Sequence, residues 1–583
     1  MTLGALIRQR GTDPNTSDRP FVLFFGWECS FAEFYRECIA WARMFLQLRR
    51  HPSQCEKPFH VGILLDNTPD YLFSLGGAWL AGAVAVGINN TKRGQHLAQD
   101  IRHSDCALLV TEPQYLRLLQ PVFDETGIEA NGVIVSRRWE GKGRAVPVAE
   151  PYFSGENTLG TDAEKMLECF RGQADPSIPS HPQDLAMLIF TSGTVTAPKA
   201  VCCSHQRLVE TGTNIARNVY NLGPNDAGYI AMPLFHANAV MAGFLPALAA
   251  GVPVGLARKF SKQHWLEDIR RYGATYFNYT GKPLAYILST PRRADDADNP
   301  LRICFGNEGS HRVVREFEER FGCQVIDVFG SSEGGLGVTR QPGDPPGSIG
   351  FPAPGITVVD DQGRECPPAR FDERGRLLNP EECIGEIVNT QGVAWFEGYY
   401  KNEQATAERT RFGWYWSGDL GYKDERGFLY FVGRTTDWLR VDGENFLARP
   451  VEEILLRYPR VALVAVYGVP DPDGGDQVMA ALVLHSAASF DPVDFAAFLQ
   501  AQPDLSPKWV PKFLRLAKEL PQTASAKILK SELRRQKFLP DRCGDPLYWR
   551  PGREIAYRPF TQADVEALCE AFARTGRQQL LDL

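Results

Sequence analysis

An apolar run, Leu188, Ile189 and Phe190, leads directly into Thr191, Ser192, Gly193 and Thr194, with Lys199 a few residues on behind Pro198. Hydroxyls and backbone N–H groups at the end of a buried strand form a donor set suited to phosphate oxygens. A proline-stiffened turn then holds a compact cation beside whatever anion those donors collect. The spacing is not the G-x-x-x-x-G-K-[ST] of a Walker loop. Taken alone, the stretch also reads as an ordinary Ser/Thr-rich turn. Two later runs, LRICFGNEG and CQVIDVFGSSEGGLG, read as strands ending in glycine-rich turns that carry Glu308 and Glu333. AGYIAMPLFHANAVMAG reads as a strand ending at His236, and ATYFNYTGKPLAYIL places Tyr276, Phe277 and Tyr279 ahead of a helix. Strand ends of this kind predict one ligand crevice at the carboxyl edge of a mostly parallel sheet. Each candidate also has a plain reading: His236 as a satisfied core histidine, Glu333 as a solvated turn residue, Lys527 as one cation of a charged helix face with Lys530, Arg534 and Arg535.

The elements that must carry these residues belong to a large chain. Its 583 residues, 44% hydrophobic and 23% charged, suffice for extensive cores, and length alone suggests roughly three or four domain-sized units. A net charge of −7 and a pI near 5.9, with no Lys/Arg block, exclude a nucleic-acid footprint. The thirteen cysteines are scattered without a C-x-x-C pair, and Cys202 adjoins Cys203, so neither a zinc cluster nor a disulfide framework is indicated and a reduced cytoplasm is expected. The start, MTLGALIRQRGTDPNT, has no signal-peptide core. The uncharged run 237–257 contains Asn238, Pro246 and Pro253 and reads as a buried helix followed by a strand, not a transmembrane span.

Along the chain, strand patterns at 60–65 and 106–113 alternate with helical ones in βαβ grammar. Residues 140–184 read as a polar surface connection. From 394 the text is dense in glycine and aromatics with strand alternation, and beyond Arg434 a βαβ-like pattern resumes, which puts a domain boundary near Thr435.

Four segments then form a recognisable set: TSGTVTAPKA at 191–200, FGSSEGG at 329–335, WSGDLGYKDERGFLYFVGR at 416–434 and PQTASAKILK at 521–530. In order and separation they resemble the adenylate-forming (ANL) superfamily, and within it the acyl-CoA synthetases. NYTGKPLAYILSTPRRADDADNPLRICFGNEG at 278–309, RVDGEN at 440–445 and the tail DPLYWRPGREIAYRPFT at 545–561 resemble most the actinobacterial fatty-acid-CoA ligases and the fatty-acid transport/very-long-chain branch. The resemblance implies an α/β fold. A large N-terminal adenylation domain (1–435) of stacked, mostly parallel sheets with helices and a β-rich subdomain would bind ATP and acid. A small mobile α+β lid (436–583) would carry the catalytic lysine.

It also implies roles. Thr191, Ser192, Gly193, Thr194 and Lys199 would embrace the β- and γ-phosphates, and Glu333 with Thr194 would hold Mg²⁺. Asn307, Glu308 and Gly309 with Asp327, Val328 and Phe329 would wall the adenine, followed by Gly330, Ser331 and Ser332. Asp419 would accept from the ribose hydroxyls. Phe431 and Arg434 would complete the nucleotide site, and Gly443 would line the pantetheine channel. Lys527 would bridge the acid's carboxylate and the α-phosphate. His236, Asn238, Tyr279, Gly306 and Phe329 would surround the acid.

The chain departs from the common pattern at Val195 and Thr196, at Ala200 in place of glycine, at Ser332 in place of threonine, at Ala526 before the lysine and at Thr436 at the hinge. Fewer glycines imply a stiffer phosphate loop. The function implied is ATP- and Mg²⁺-dependent activation of a small-molecule acid through an acyl-adenylate, then thioester formation with CoA, with a fatty acid favoured. Two alternatives stay open: a diazotase-like enzyme adenylating nitrite for attack by an aryl amine without CoA, and a catalytically silent lipid-binding or uptake protein.

Overall fold

The computed structural model describes residues 1–49, 58–143, 160–191, 198–280, 283–307, 309, 311–373, 377–434, 438–441, 444–472, 476–485, 489–502, 505–523, 527–552, 554–575 and 577–582. The chain forms two compact units, one of residues 1–284, 292–337 and 394–410, the other of 285–291, 338–393 and 411–583. These are fewer than length alone suggests, because each unit holds more than one sheet.

In the first unit, one sheet runs in the order Thr161–Asp162, Val133–Val135, Cys106–Thr111, His60–Leu64, Val84–Gly87, Leu185–Phe190, Ala200–Ser204. Its neighbours are parallel except the last pair, which is antiparallel. The central strands HVGIL, VAVG and CALLVT are buried at every position, which is why they read as unbroken apolar runs rather than alternating ones. Helix Pro69–Leu80 is buried all round and lies close to helix Phe31–Arg49. A Cβ at Gly77 would come within 2.5 Å of Trp41 Cβ.

The second sheet of this unit runs Gln324–Gly330, Ile303–Asn307, Tyr276–Thr280, Gly228–Ile230, Val254–Leu256, Pro20–Phe24, Trp27–Ser30, all parallel but for the final hairpin. Four adjacent strands therefore deliver their carboxyl ends to one edge, the geometry expected of the crevice. The run 237–257 is indeed helix, Asn238–Phe244 continuing into Leu245–Ala250, followed by strand Val254–Leu256. Two expectations need correction. The strand read as reaching His236 stops at Ile230. Pro233 has no N–H to offer a ladder, and its carbonyl instead accepts the His236 N–H at 3.0 Å in a turn. Within 140–184, Thr161–Asp162 joins the first sheet, and Asp162 caps the helix Ala163–Glu168 by accepting the Lys165 N–H, so that part is not plain connection.

The second unit carries a four-stranded antiparallel sheet, Ile356–Val359, Gly385–Asn389, Tyr415–Lys423, Leu429–Arg434, and a hairpin, Trp438–Val441 with Glu444–Leu447. Beyond it lies a five-stranded sheet in the order Val461–Pro470, Asp476–Leu484, Phe513–Leu516, Leu547–Trp549, Arg558–Pro559. The tail text read as βαβ begins instead with an antiparallel pair, because the turn between Pro470 and Asp476 is too short for a crossover. The one parallel pair, Asp476–Leu484 with Phe513–Leu516, is joined through helix Pro492–Gln500. Val464, Val466, Ala480, Leu482, Phe495 and Leu514 form the core of this α+β part. Thr435 and Thr436, at the expected boundary, lie outside the described residues. Among the described residues no helix is long and apolar enough to cross a membrane.

Candidate active site

The phosphate stretch begins on the strand Leu185–Phe190, whose Leu188 and Ile189 are fully buried. Its return strand pairs Phe190 with Ala200, and the Thr191 N–H donates to the Lys199 carbonyl at 3.0 Å, so both ends of the loop are pinned. Ser192, Gly193 and Thr194, with Val195 and Thr196, lie outside the described residues. Lys199 Nζ sits 5.6 Å from the ring centroid of Tyr399. Tyr399 reaches that place because its segment pairs with the return strand. Cys202 N–H donates to the Gly398 carbonyl at 3.0 Å, Tyr400 N–H to the Ala200 carbonyl at 2.8 Å, and the Ser204 N–H and hydroxyl both donate to Glu397 at 2.6 Å.

The Tyr399 hydroxyl donates to Glu333 Oε1 at 2.7 Å, and Glu333 is buried at 8% exposure. Burial pushes this carboxyl up, but the Tyr399 hydrogen bond, the charge of Arg409 and local donors together hold it below the ordinary glutamate value. Burial, and next the charge of Glu333, push the Tyr399 hydroxyl up, so it stays protonated and donating. The backbone before Glu333 is held by Arg207, itself buried, which donates to the Ser332 carbonyl at 2.5 Å and the Cys202 carbonyl at 3.0 Å. Gly334 then turns the chain at φ +70°, and its carbonyl accepts the Trp395 N–H at 3.3 Å. A buried carboxylate kept ionised fits a hard divalent cation. Among the described residues no group of three or more His, Cys, Asp or Glu could hold a metal, so the cation expected here would rest on Glu333 without such a cluster.

The residues expected to wall the adenine, with Tyr279, lie at the carboxyl ends of three neighbouring strands. Asp327 Oδ2 accepts the Tyr279 hydroxyl at 2.6 Å and the Gly309 N–H at 2.7 Å, tying the turn after Asn307 to the next strand. The Thr280 hydroxyl donates to Asn307 Oδ1 at 2.5 Å. Gly306 has no room for a side chain, since a Cβ would stand 2.1 Å from the Tyr279 carbonyl oxygen. Val328, Phe329, Gly330 and Ser332 are half-buried at the strand's end and Ser331 is exposed; Glu308 lies outside the described residues.

On the acid side, Asn238 donates to the Tyr279 carbonyl at 3.0 Å, and buried Asn278 donates to Asn238 Oδ1 at 2.7 Å. His236 is half-buried with its ring against Phe235, centroids 4.5 Å apart. The turn that delivers it is clamped by Asn67, which donates to the Met232 carbonyl and accepts the Leu234 N–H, both at 2.9 Å.

In the second unit, Asp419 is buried at 6% exposure, and its N–H donates to the Ser417 hydroxyl at 3.1 Å. Gly418, at φ +72°, makes the bend that orients it. Asp419 is the register partner of Arg434, and Phe431 lies under the Arg449 guanidinium at 5.2 Å. The Arg434 side chain and Gly443 are outside what is described. Lys527 closes a tight turn: the Thr523 N–H donates to its carbonyl at 2.7 Å, its N–H donates to the Thr523 hydroxyl at 3.2 Å, and the Leu529 N–H donates to the Pro521 carbonyl at 2.7 Å. It is half-buried; on the helix that follows, Lys530 pairs with Glu452 at 2.8 Å and Arg535 with Glu532 at 2.7 Å.

Tyr399, Arg207 and Asn67 were not singled out from sequence. Tyr399 lies in WFEGYYKN, which drew notice only for its aromatics; Asn67 follows a buried strand in a turn-like DNTP; Arg207 carried no signal at all.

A parallel-sheet edge with a buried glutamate and a lysine tied to it through one tyrosine in the first unit, and a lysine beside a backbone-bonded turn in the second, are what an enzyme that activates acids with a nucleotide would need. Residues 11–400 match the AMP-binding enzyme family and 450–527 the AMP-binding enzyme C-terminal domain. The chain is 45% identical over 94% of its length and 94% of the relative's to steroid-22-oyl-CoA synthetase of Rhodococcus jostii. It is 44% identical over 84% of its length and 89% of the relative's to the medium/long-chain-fatty-acid–CoA ligase FadD17 of Mycobacterium tuberculosis. In fold it is similar to an anthranilate CoA ligase in complex with anthranoyl-AMP, with TM-score 0.76, 20% identity and coverage of 92% of this chain and 96% of that one. The chain belongs to the AMP-binding enzyme family, as an AMP-forming acyl-CoA ligase. It uses ATP to activate an acid as the acyl-adenylate and passes the acyl group to CoA; neither the diazotase-like nor the silent-protein alternative is favoured.

Proposed function

We propose that the acid is a large hydrophobic carboxylic acid, and that a steroid side-chain carboxylate is preferred over a simple fatty acid. The observation that carries this is the 45% identity to the steroid-22-oyl-CoA synthetase over 94% of both chains, against 84% of this chain for the fatty-acid relative. The carboxylate oxygen attacks the α-phosphorus and pyrophosphate leaves. The CoA sulfur then attacks the acyl carbonyl and AMP leaves. Thr191 to Thr194 and Lys199 hold the β- and γ-phosphates, and Lys527 spans the carboxylate and α-phosphate. Asn307 to Gly309 and Asp327 to Phe329 hold the adenine, while Asp419, Phe431 and Arg434 hold the ribose side. His236, Asn238 and Tyr279 border the acid, and Gly443 borders the pantetheine. Glu333 and Thr194 would hold Mg²⁺, which when bound neutralises charge on the leaving phosphates.

The family domains divide at 1–435 and 436–583, a division supported by the two family matches, which fall on either side of it, whereas the compact units place 338–393 and 411–434 with the C-terminal part. A cytoplasmic location is supported by the twelve described cysteines, none of which forms a disulfide. A pyrophosphate-release screen tests the acid: steroid side-chain acids of C22 type, medium- and long-chain fatty acids, benzoate and nitrite, each with and without CoA. Highest kcat/KM with the steroid acids is expected. Preference for fatty acids would shift the substrate to that class, and turnover of benzoate alone would refute the hydrophobic-acid reading.

A further inference from the structure

Tyr399 touches both charged groups of the phosphate side at once. Its ring carries the Lys199 ammonium at 5.6 Å from the centroid, and its hydroxyl donates to Glu333 Oε1 at 2.7 Å. Its own position is fixed independently of either charge. The bridge between Val201 and Tyr399, the Cys202 and Tyr400 backbone bonds and the double Ser204–Glu397 bond splice residues 397–400 onto the return strand of the phosphate loop. The tyrosine is therefore built into the same strand pair that carries Lys199, and from there it reaches Glu333, 66 residues earlier in the chain.

We propose that Tyr399 is a positioning residue that sets the divalent-cation dependence of nucleotide binding. Its hydroxyl fixes one oxygen of Glu333, leaving the carboxylate in a single orientation relative to the strand that bears Lys199. Its ring face holds the Lys199 ammonium against swinging away when no phosphate is present. Without that hydrogen bond only the charge of Arg409 and the local donors, Ser331 among them, would hold the carboxylate, and it would bind a cation less well, because more of its ordering would then fall to the binding step. The ring contact is electrostatically favourable for a cation whether or not metal is present, so the two halves of the residue act on different equilibria. The inference rests on the assignment of Glu333 to Mg²⁺ made above, and adds the residue that makes that glutamate effective.

The experiment is calorimetric titration of the full chain with ATP, once in EDTA and once in saturating Mg²⁺, with no acid present so that nothing turns over. Tyr399→Phe keeps the ring and removes the hydroxyl. It should reduce the affinity gain from Mg²⁺ roughly tenfold, the scale of one hydrogen bond to a charged group, with metal-free ATP binding changed less than about twofold. Tyr399→Leu should in addition weaken metal-free ATP binding about two- to fivefold, the loss of one cation–π contact. A merely structural tyrosine would lower both affinities together, and that outcome overturns the proposal. Glu333→Gln separates the two assignments. If Glu333→Gln abolishes the Mg²⁺ gain while Tyr399→Phe retains it, the role of Tyr399 is refuted and that of Glu333 stands; if both variants retain it, both are refuted. Should Tyr399→Leu fail to fold, Tyr399→Phe decides alone.

Discussion

The turn that presents His236 rests on one side chain, and removing that side chain has a calculable effect. Asn67 is 4% exposed and spans Met232 and Leu234, donating to the carbonyl of the first and accepting from the N–H of the second, both at 2.9 Å. Asn67→Ala leaves a backbone donor and a backbone acceptor without these bonds in a site that water does not reach. Each orphaned group costs about 1–3 kcal/mol, so the first unit should lose about 2–6 kcal/mol. Asn67→Asp is the sharper probe. It keeps an acceptor for Leu234 but sets a second oxygen against the Met232 carbonyl, so it should lose at least as much as the alanine variant despite its nearly identical shape. Because the turn closes with the His236 N–H on the Pro233 carbonyl, loosening it should raise KM for the acid roughly tenfold and leave KM for ATP unchanged. Urea unfolding followed by a probe in the first unit gives the stability, and pyrophosphate release gives both constants. An Asn67→Asp variant as stable as the parent, or an alanine variant losing under about 0.5 kcal/mol with its acid KM intact, would refute the clamp.

Lys527→Ala should slow adenylation by roughly a hundredfold or more, the scale for one preorganised cation at a transferring phosphoryl group, while thioester formation from supplied acyl-adenylate is less affected. Single-turnover assays of the two halves separate these, and a smaller loss would return Lys527 to the charged helix face. Gly306→Ala would place a Cβ 2.1 Å from the Tyr279 carbonyl, so the strands Tyr276–Thr280 and Ile303–Asn307 must part. A stability loss of about 1–3 kcal/mol and a raised ATP KM are expected by urea titration and kinetics. Glu112 shares Arg258 with Asp66 at 3.0 and 3.3 Å, and burial pushes it from 4.5 up to about 7. The folded chain then holds this proton longer than the unfolded one, so its contribution to stability is present below pH 4.5 and is lost as pH rises to about 7. Relative to Glu112→Gln, the parent should lose on the order of 3 kcal/mol between pH 4 and 8 in pH-resolved melts, and parallel profiles would contradict the assignment.

The parts of this molecule legible in sequence are those whose cause is local. HVGIL and CALLVT are strands because both faces are buried, and continuous apolar text is how a doubly covered parallel strand is written. The motif around Glu333 follows the end of the strand Gln324–Gly330, where glycine and small polar residues are what a turn requires, whereas Asp419 sits in the middle of the strand Tyr415–Lys423, beside the bend that Gly418 makes. What was not legible depends on contacts between distant segments. The supports of Glu333 come from Tyr399, 66 residues away, and from Arg207, 125 residues from its Ser332 partner, and no periodicity announces either. The strand extended in error to His236 shows the same limit. YIAMPLF is an unbroken apolar run like that of a buried strand, and it is Pro233 together with the distant Asn67 that turns the chain out of the ladder.

Ala200 shows why a departure from a motif has to be judged by where its atoms go. As a missing glycine it counts toward a stiffer phosphate loop. In the fold it is the first residue of the strand Ala200–Ser204, paired with Phe190 and fully buried in the cluster that includes Leu188 and Phe190. Its carbonyl accepts the Tyr400 N–H, so it is fixed on both edges of the strand. A glycine there would remove a buried methyl and raise the entropy of the unfolded chain without freeing the loop, whose ends are already closed by the Thr191–Lys199 bond. Ala200→Gly should therefore destabilise the first unit by about 1 kcal/mol and leave ATP affinity unchanged. Any stiffening of the loop then rests on Val195 and Thr196 alone. The double change of Val195→Thr with Thr196→Gly should raise amide exchange across 191–199 while pyrophosphate release persists, and unchanged exchange would remove the stiffness argument altogether.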